Sequence, residues 1–222
     1  MQFRIHKEGW TYFIISFLIT ITIIPFYTVL GIFLFILSLY IYYFFRDPIR
    51  EIPNESVVVS PADGLVTFIG ISDSPLGKSI DKNKYTKVSI FLSIFNVHVN
   101  RMPVDANIES IKYIPGKFIN ATLDKSSHDN ERNIICANNE GKKIYIVQIA
   151  GLIARRIICN VKVNQKVFQG DRIGIIKFGS RVDLYIPENY NILISKGQKV
   201  IGGETIISNP NNINKIKFSV SK

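Results

Sequence analysis

Hydrophobic residues follow two different patterns along this chain, and the change falls near residue 50. From Tyr12 to Phe45 there is no Asp, Glu, Lys, Arg or His, and the stretch is rich in Ile, Phe, Leu and Tyr. One membrane-spanning helix needs about 20 apolar residues, and this run is longer. Pro25 and Gly31 lie near its middle, where they would weaken a helix. The pattern therefore predicts two short helices in a hairpin, with one tilted span as the alternative.

The flanks of this run favour a retained membrane anchor over residues 1–50. Basic residues lie on both sides, so the positive-inside rule puts both ends on the cytoplasmic side; these residues are Arg4, Lys7, Arg46 and Arg50. A signal peptide is disfavoured, because the run is too long and no A-x-A type cleavage site follows it before Arg46. We expect the protein at the cytoplasmic membrane, with residues 51–222 on the cytoplasmic side.

After residue 50 the apolar runs are short and are separated by Gly, Pro, Asn and Asp. They predict strands, and no stretch shows a sustained helical period. Residues 164–173 match residues 197–206 position for position, with identical Gln, Lys, Val, Gly and Ile. This repeat resembles the half-motif of biotinyl and lipoyl carrier domains. We therefore expect an all-β fold, a barrel-sandwich hybrid, behind the helical membrane anchor.

The net charge of +10 suits either a nucleic acid or an anionic bilayer. No basic cluster with interleaved aromatic residues occurs, so no nucleic-acid partner is predicted. Binding to an anionic lipid surface would be strengthened by about 1 kcal/mol for each well-placed Lys or Arg. The alternative is an ordinary basic surface exposed to solvent. Cys136 and Cys159 lie in apolar stretches without a second Cys or His at metal-ligand spacing. They predict buried, reduced thiols and no metal site.

Three polar clusters interrupt the apolar strands. They contain Asp63 in SPADG, His98 in FNVHVNRMP and Ser180 in KFGSRVD. Each has a purely structural explanation, since SPADG suits a turn, His98 has apolar neighbours and Gly179–Ser180 suits a hairpin tip. Together they supply the parts of a relay in which a carboxylate orients an imidazole, and the imidazole takes a hydroxyl proton. Their order along the chain does not affect this hypothesis.

These motifs, together with DNERN at 129–133 and GLIARRI at 151–157, resemble the short bacterial and archaeal type of phosphatidylserine decarboxylase proenzyme. The resemblance runs from about Phe44 to Ser208 and keeps the order of the motifs. It implies that Ser180 attacks the Gly179 carbonyl, turning the amide into an ester. β-Elimination and hydrolysis would then leave a pyruvoyl group on the new amino terminus. Two associated chains would result, residues 1–179 and residues 180–222.

The resemblance also implies the reaction, a carboxy-lyase reaction that converts phosphatidylserine in the bilayer to phosphatidylethanolamine. The pyruvoyl group derived from Ser180, a covalent cofactor, would form a Schiff base with the substrate amine and accept electrons as carbon dioxide departs. His98 is the expected proton carrier, and Asp63 is expected to set its tautomer.

This chain departs from the longer relatives of that family, which end their cleavage motif with LGST and have two histidines near the position of His98. Here the motif is FGSR, and Arg101 lies where a second histidine would be expected. Either His98 serves both self-cleavage and decarboxylation, or Asp63 and a water share the work. A planar guanidinium suits the substrate phosphate or carboxylate; the candidates are Arg101, Arg132, Arg155 and Arg156.

Two further functions stay open at this point. The repeat also fits a membrane-anchored carrier or adaptor of the biotinyl or lipoyl kind, with Lys177 as the modified residue, although the usual flanking methionines are missing. A membrane-bound serine hydrolase that uses Ser180 would lack the G-x-S-x-G elbow. His128, Asn130 and Glu131, at or beside DNERN, are weaker candidates for the site.

Overall fold

The computed structural model describes residues 4–116, 130–151, 156–177 and 180–210. The chain divides into two compact units, Met1–Ile49 and Arg50–Lys222. Each unit has one type of secondary structure in its described residues, helices in the first and strands in the second.

The first unit contains two helices, α1 (Lys7–Ile23) and α2 (Thr28–Phe44). Its polar side chains meet between the helices, where the hydroxyl oxygens of Thr20 and Ser38 lie 3.3 Å apart. Each hydroxyl also donates to a backbone carbonyl four residues earlier, at 2.8 and 2.9 Å. The hydroxyls of Thr20 and Ser38 are therefore satisfied within the pair of helices.

The predicted membrane anchor is wrong. Each helix has 17 residues, and within the described ranges no helix is long and apolar enough to cross a membrane. The apolar run would be long enough to cross a membrane only as one continuous helix. The turn that contains Pro25 divides it into two shorter helices. Proline removes a backbone donor and clashes with the preceding turn, which explains the break.

The second unit is formed by antiparallel strands in three sheets. Its strands are β1 (Val58–Val59), β2 (Gly64–Asp73), β3 (Lys84–Leu92), β4 (Val99–Arg101), β5 (Ala106–Ile114), β6 (Arg132–Asn139), β7 (Lys142–Ala150), β8 (Arg156–Cys159), β9 (Lys166–Val167), β10 (Arg172–Lys177), β11 (Ser180–Pro187), β12 (Asn191–Ile192), β13 (Lys199–Val200) and β14 (Ile206–Asn209). The large sheet has the order β13-β2-β3-β11-β7-β6-β5-β9, and the small sheets are β4-β10-β8 and β1-β14-β12.

The sequence repeat corresponds to a structural repeat at the two edges of the large sheet. β9 pairs with β5 at one edge, and β13 pairs with β2 at the other. Gly170 and Gly203 follow β9 and β13, and both have φ +84°, which favours glycine. An added Cβ at either position would meet the side chain of Ile52. Gln165 and Gln198 each accept a backbone hydrogen bond from three residues earlier, at 2.9 and 3.1 Å.

Both faces of the strand β11 are buried. Val182, Leu184 and Ile186 belong to the main hydrophobic core, whereas Tyr185 belongs to a second cluster with Tyr85 and Tyr145 on the opposite face. Side chains alternate between the faces of a strand, so β11 is held on both sides by packed neighbours. The strand that begins with Ser180 is therefore firmly placed.

Candidate active site

Several strands begin or end around Ser180. This residue begins β11 and pairs with Leu92, the last residue of β3, and with Ala150, the last residue of β7. β10 ends at Lys177 and belongs to a different sheet. The chain thus passes from a small sheet to the large sheet immediately before Ser180, at one end of β3, β7, β10 and β11.

The side chain of Ser180 is fully buried, and its Oγ has no hydrogen-bond partner among the residues described. Its two partners in the pairing, Leu92 and Ala150, belong to the main core, so Ser180 lies on the core face of β11. A buried polar group without a partner costs about 1–3 kcal/mol. Such atoms are rare in folded proteins and commonly mark reactive positions.

His98 is fully buried and lies just before β4. Its carbonyl oxygen accepts a hydrogen bond of 3.3 Å from the backbone N–H of Ile176, which lies in the segment leading to Ser180. The Nδ1 atom of its ring lies 3.0 Å from the carbonyl oxygen of Asn96. A carbonyl oxygen only accepts, so the neutral ring carries its proton on Nδ1 and a lone pair on Nε2. This tautomer has a base at Nε2.

Asp63 binds to groups other than the imidazole. Arg50 Nη2 donates to both carboxylate oxygens at 2.9 and 2.8 Å, and the N–H of Gly202 donates to Oδ1 at 2.8 Å. The hydrogen bond that sets the tautomer of His98, which we expected from Asp63, comes in the structure from Asn96. A part for Asp63 in catalysis stays a prediction.

Of the candidate arginines Arg101 and Arg132, the strand pairing places Arg132 away from the core face of Ser180. Arg101 is 5% exposed, and its Nη1 donates to the carbonyl oxygen of Gly170 at 2.9 Å. Arg132 pairs with Ile149, which belongs to the second cluster, so Arg132 and Ser180 project from opposite faces of the large sheet. Their roles in substrate binding stay predictions.

Arg156 has a different setting. It is exposed, begins β8 and lies opposite Lys177, the last described residue before Ser180. Arg155, Gly179 and His128 lie outside the described residues. Of the candidate arginines that the structure describes, Arg156 is therefore the one that combines exposure with a position at the end of β10.

The motif DNERN supports the strand next to Ser180. Asn130 is fully buried and donates from Nδ2 to the carbonyl oxygen of Ala150 at 2.8 Å. The N–H of Ala150 in turn donates to the carbonyl oxygen of Glu131 at 2.9 Å. Both polar groups of the Ala150 backbone are thus bound by this motif, directly opposite Ser180. The sequence does not reveal this role of Asn130 and Glu131, because a contact to the backbone leaves no pattern of residue types.

The sequence did not predict the hydrogen bonds that link three buried side-chain amides. Asn133 Nδ2 donates to Gln148 Oε1 at 3.0 Å, and Gln148 Nε2 donates to Asn100 Oδ1 at 2.9 Å. These hydrogen bonds form a chain that connects β6 and β7 of the large sheet to β4 of the small one. The available signal was an amide residue within or beside an apolar run in each of the three strands.

A buried ionic cluster on the other face of β11 was missed as well. Arg181 donates from Nε to Asp183 Oδ1 at 2.7 Å and from Nη2 to Oδ2 at 2.9 Å. Lys87 Nζ lies 3.2 Å from Asp183 Oδ2. Burial, followed by the charge of Asp183, raises the pKa of Tyr185 in the same cluster. The residues immediately after Ser180 are therefore fixed by charge on one face and by the core on the other.

The carrier hypothesis needs a lysine that a modifying enzyme can reach. Lys177 is only 5% exposed. A side chain with so little accessible surface is poorly suited to attachment of biotin or lipoate.

Comparisons with known proteins agree with the motifs. The family model for phosphatidylserine decarboxylase matches residues 37–208. The phosphatidylserine decarboxylase proenzyme of Pelagibacter ubique is 48% identical over 207 residues, which are 92% of this chain and 96% of that protein. That of Ehrlichia chaffeensis is 50% identical over 208 residues, 92% of this chain and 91% of its own. That of Wolbachia pipientis wMel is 44% identical over 223 residues, 98% of this chain and 97% of its own.

Proposed function

Because the chain belongs to the phosphatidylserine decarboxylase family and is a carboxy-lyase, we propose that it matures by breaking its own Gly179–Ser180 bond. The mature enzyme then converts phosphatidylserine to phosphatidylethanolamine with a pyruvoyl group at residue 180. The observation that carries this proposal is the Oγ of Ser180, which is buried without a hydrogen-bond partner among the described residues, at the start of β11.

Self-cleavage begins with the hydroxyl of Ser180. Its oxygen adds to the carbonyl carbon of Gly179 and the C–N bond breaks, so an ester replaces the amide. Loss of the Cα proton and of the Gly179 carboxylate from Cβ leaves dehydroalanine, and water then replaces its nitrogen, which departs as ammonia. The lone pair on His98 Nε2 is the proposed acceptor of the hydroxyl proton. Glycine at 179 suits this attack because no side chain obstructs the carbonyl.

Residue 180 has surroundings that fit a pyruvoyl group. The departing Oγ holds no hydrogen bond with the described residues, so its loss breaks none. Leu92 and Ala150 flank the position with apolar side chains, and residue 180 is fully buried. When formed, the pyruvoyl group supplies an electron-accepting carbonyl for the loss of carbon dioxide. His98 is the proposed group that holds and returns the proton.

Asp63 is proposed as a positioning residue. Its carboxylate fixes the turn that contains it to Gly202, and in the same turn the carbonyl oxygen of Pro61 accepts a hydrogen bond of 2.9 Å from the N–H of Arg101. Arg101 belongs to β4, which follows His98 directly. Asp63 thus supports the strand that places the imidazole.

The two mature chains are proposed to stay together. β11 belongs to the 180–222 chain, yet it pairs over its length with β3 and over Ser180–Tyr185 with β7 of the 1–179 chain. β13 and β14 add pairs with β2 and β1. These ladders do not depend on the bond between residues 179 and 180.

Substrate binding and location complete the proposal. Arg156, exposed and opposite Lys177, is the favoured ligand of the phosphate in the head group; Arg101, Arg132 and Arg155 are the other candidates. Because phosphatidylserine resides in the bilayer, the enzyme would act at the cytoplasmic face of the cytoplasmic membrane. The net charge of +10 would favour an anionic surface.

Vesicles that contain phosphatidylserine test this function. The purified protein should produce phosphatidylethanolamine and carbon dioxide, and Ser180→Ala should produce neither. Equal turnover by the Ser180→Ala protein would disprove a mechanism based on residue 180.

A further inference from the structure

Asn100 is a buried amide with only one of its two polar atoms satisfied. Its Oδ1 accepts a hydrogen bond of 2.9 Å from Gln148, whereas its Nδ2 has no hydrogen-bond partner in the described part of the chain. The side chain is fully buried. A buried N–H group without an acceptor is costly, so its presence indicates an acceptor that arrives later.

The neighbours of Asn100 hold this amide in one orientation. Asn133 donates a hydrogen bond to Gln148 at 3.0 Å, and Gln148 in turn donates one to Asn100. Gly174 lies opposite Asn100 in the pairing of β4 with β10. A Cβ at Gly174 would lie 2.9 Å from Gln148 Nε2, so glycine leaves the space through which Gln148 reaches the small sheet. The hydrogen bond from Gln148 and the space left by Gly174 therefore hold the side-chain amide of Asn100 in one orientation.

The strand register places this amide on the same side of the large sheet as Ser180. Gln148 lies opposite Val182, and Ser180 lies opposite Ala150. Side chains two residues apart share a face, so Gln148 and Ser180 project together as diagonal neighbours, with Cα atoms about 7–8 Å apart. Because Asn100 binds the end of the Gln148 side chain, it also lies on this side. Asn100 Nδ2 and Ser180 Oγ, two buried atoms with no hydrogen-bond partner among the described residues, thus lie on the same side of the large sheet.

We propose that Asn100 Nδ2 donates a hydrogen bond to the ketone oxygen at residue 180 of the mature enzyme. This inference rests on the proposed function, because only maturation places a carbonyl oxygen there. A donor fixed toward that oxygen withdraws electron density from the carbonyl carbon and stabilises negative charge that develops on the oxygen. Asn100 would then be a catalytic residue, in direct contact with the cofactor.

Carbon-13 NMR of protein labelled at the Cα of serine tests the contact. The Cα of Ser180 becomes the ketone carbon, whose signal is separate from those of all other serines. In Asn100→Ala we expect this signal to move upfield and the ketone to react more slowly with hydroxylamine. We also expect a fall in kcat of about 10²- to 10³-fold, the usual effect of removing such a donor, with little change in KM.

The control is Asn133→Ala, which disturbs the same amide chain but leaves the bond between Gln148 and Asn100. It should leave the ketone signal in place, and an equal shift in both variants would indicate a merely structural effect and overturn the inference. If Asn100→Ala does not mature, Gln148→Met removes the bond that orients Asn100 and should shift the signal in the same direction. An unchanged signal there overturns the inference as well. Absence of any ketone signal in the wild-type protein would instead refute the proposed function.

Discussion

The Nδ1 atom of His98 lies 3.0 Å from the carbonyl oxygen of Asn96, two residues earlier in the chain. Because the acceptor is a backbone carbonyl, the ring is held with its proton on Nδ1 and its lone pair on Nε2. The base proposed for self-cleavage is thus prepared by a local turn and needs no carboxylate.

His98→Ala should slow self-cleavage about 10²- to 10⁴-fold, the usual contribution of a general base. The measurement is the conversion of newly translated precursor, followed over time on denaturing gels. Asp63→Asn leaves the hydrogen bond between His98 and Asn96 intact, so it should slow cleavage less. His128→Ala is the control and should mature normally. Cleavage of His98→Ala at the wild-type rate would exclude His98 as the base.

Gly174→Ala should lower the free energy of unfolding by about 1–3 kcal/mol, because a new side chain is forced into a filled space. The added Cβ would clash with the carbonyl oxygen of Ile158, a backbone atom that cannot move by itself. Gly70→Ala is the matched control in another strand, since the atoms nearest to its Cβ belong to the ring of Phe68, the closest at 2.8 Å. Phe68 is 39% exposed and has room to turn away. Urea unfolding compares the two variants, and equal losses would contradict the assigned packing.

Asp183→Asn should destabilise the protein by about 3–5 kcal/mol, because it leaves the charge of a buried arginine uncompensated. Arg181 and Asp183 are 3% and 0% exposed. Asp73→Asn removes a pair with Lys84 at the surface and should change stability little. Urea midpoints of the two variants measure the difference. A loss for Asp183→Asn no larger than that for Asp73→Asn would show that the buried cluster is not needed for stability.

The pKa of Tyr85 predicts how the stability of the protein changes at alkaline pH. Burial, followed by the hydrogen bond to Asp81 and its charge, raises the pKa of Tyr85 to about 12 from 10.0. The unfolded chain ionises first, so this stabilisation is complete below pH 10 and is lost as the pH rises to about 12. Between pH 10 and about pH 12, the free energy of unfolding should therefore fall by about 2–3 kcal/mol less in Tyr85→Phe than in the wild-type protein.

Urea unfolding at pH 8, 10 and 11 would show about half of this difference in the free energy of unfolding, because pH 11 lies midway between the two pKa values. Tyr27→Phe, at a tyrosine that is 66% exposed, is the control and should follow the wild-type curve. Parallel curves for Tyr85→Phe and the wild-type protein would contradict the raised pKa.

The sequence predicted the features that depend on side-chain type and spacing. The repeat at residues 164–173 and 197–206 appears as matching turns, because glycine at 170 and 203 is needed for a positive φ in both. The family membership predicted from the motifs is confirmed by relatives 44–50% identical over most of the chain. Such patterns are local, or follow from chemistry that only certain residues provide.

Features that depend on which strands and loops meet in the tertiary structure were not predictable. The partner of His98 is a backbone carbonyl, which every residue offers, so sequence gave no reason to choose Asn96 over Asp63. Arg132 was grouped with the site, although pairing with Ile149 puts it on the face opposite Ser180. The predicted membrane anchor is wrong because each of the two helices has only 17 residues, and no described helix is long and apolar enough to cross a membrane.

Intact-mass analysis of the purified, denatured protein shows whether the chain breaks between Gly179 and Ser180. We expect two polypeptides that meet at this junction, and the smaller one should begin with a pyruvoyl group in place of serine. Ser180→Ala should give one full-length chain. A single unmodified chain from active wild-type protein would contradict the account, because the ketone at residue 180 could not then exist.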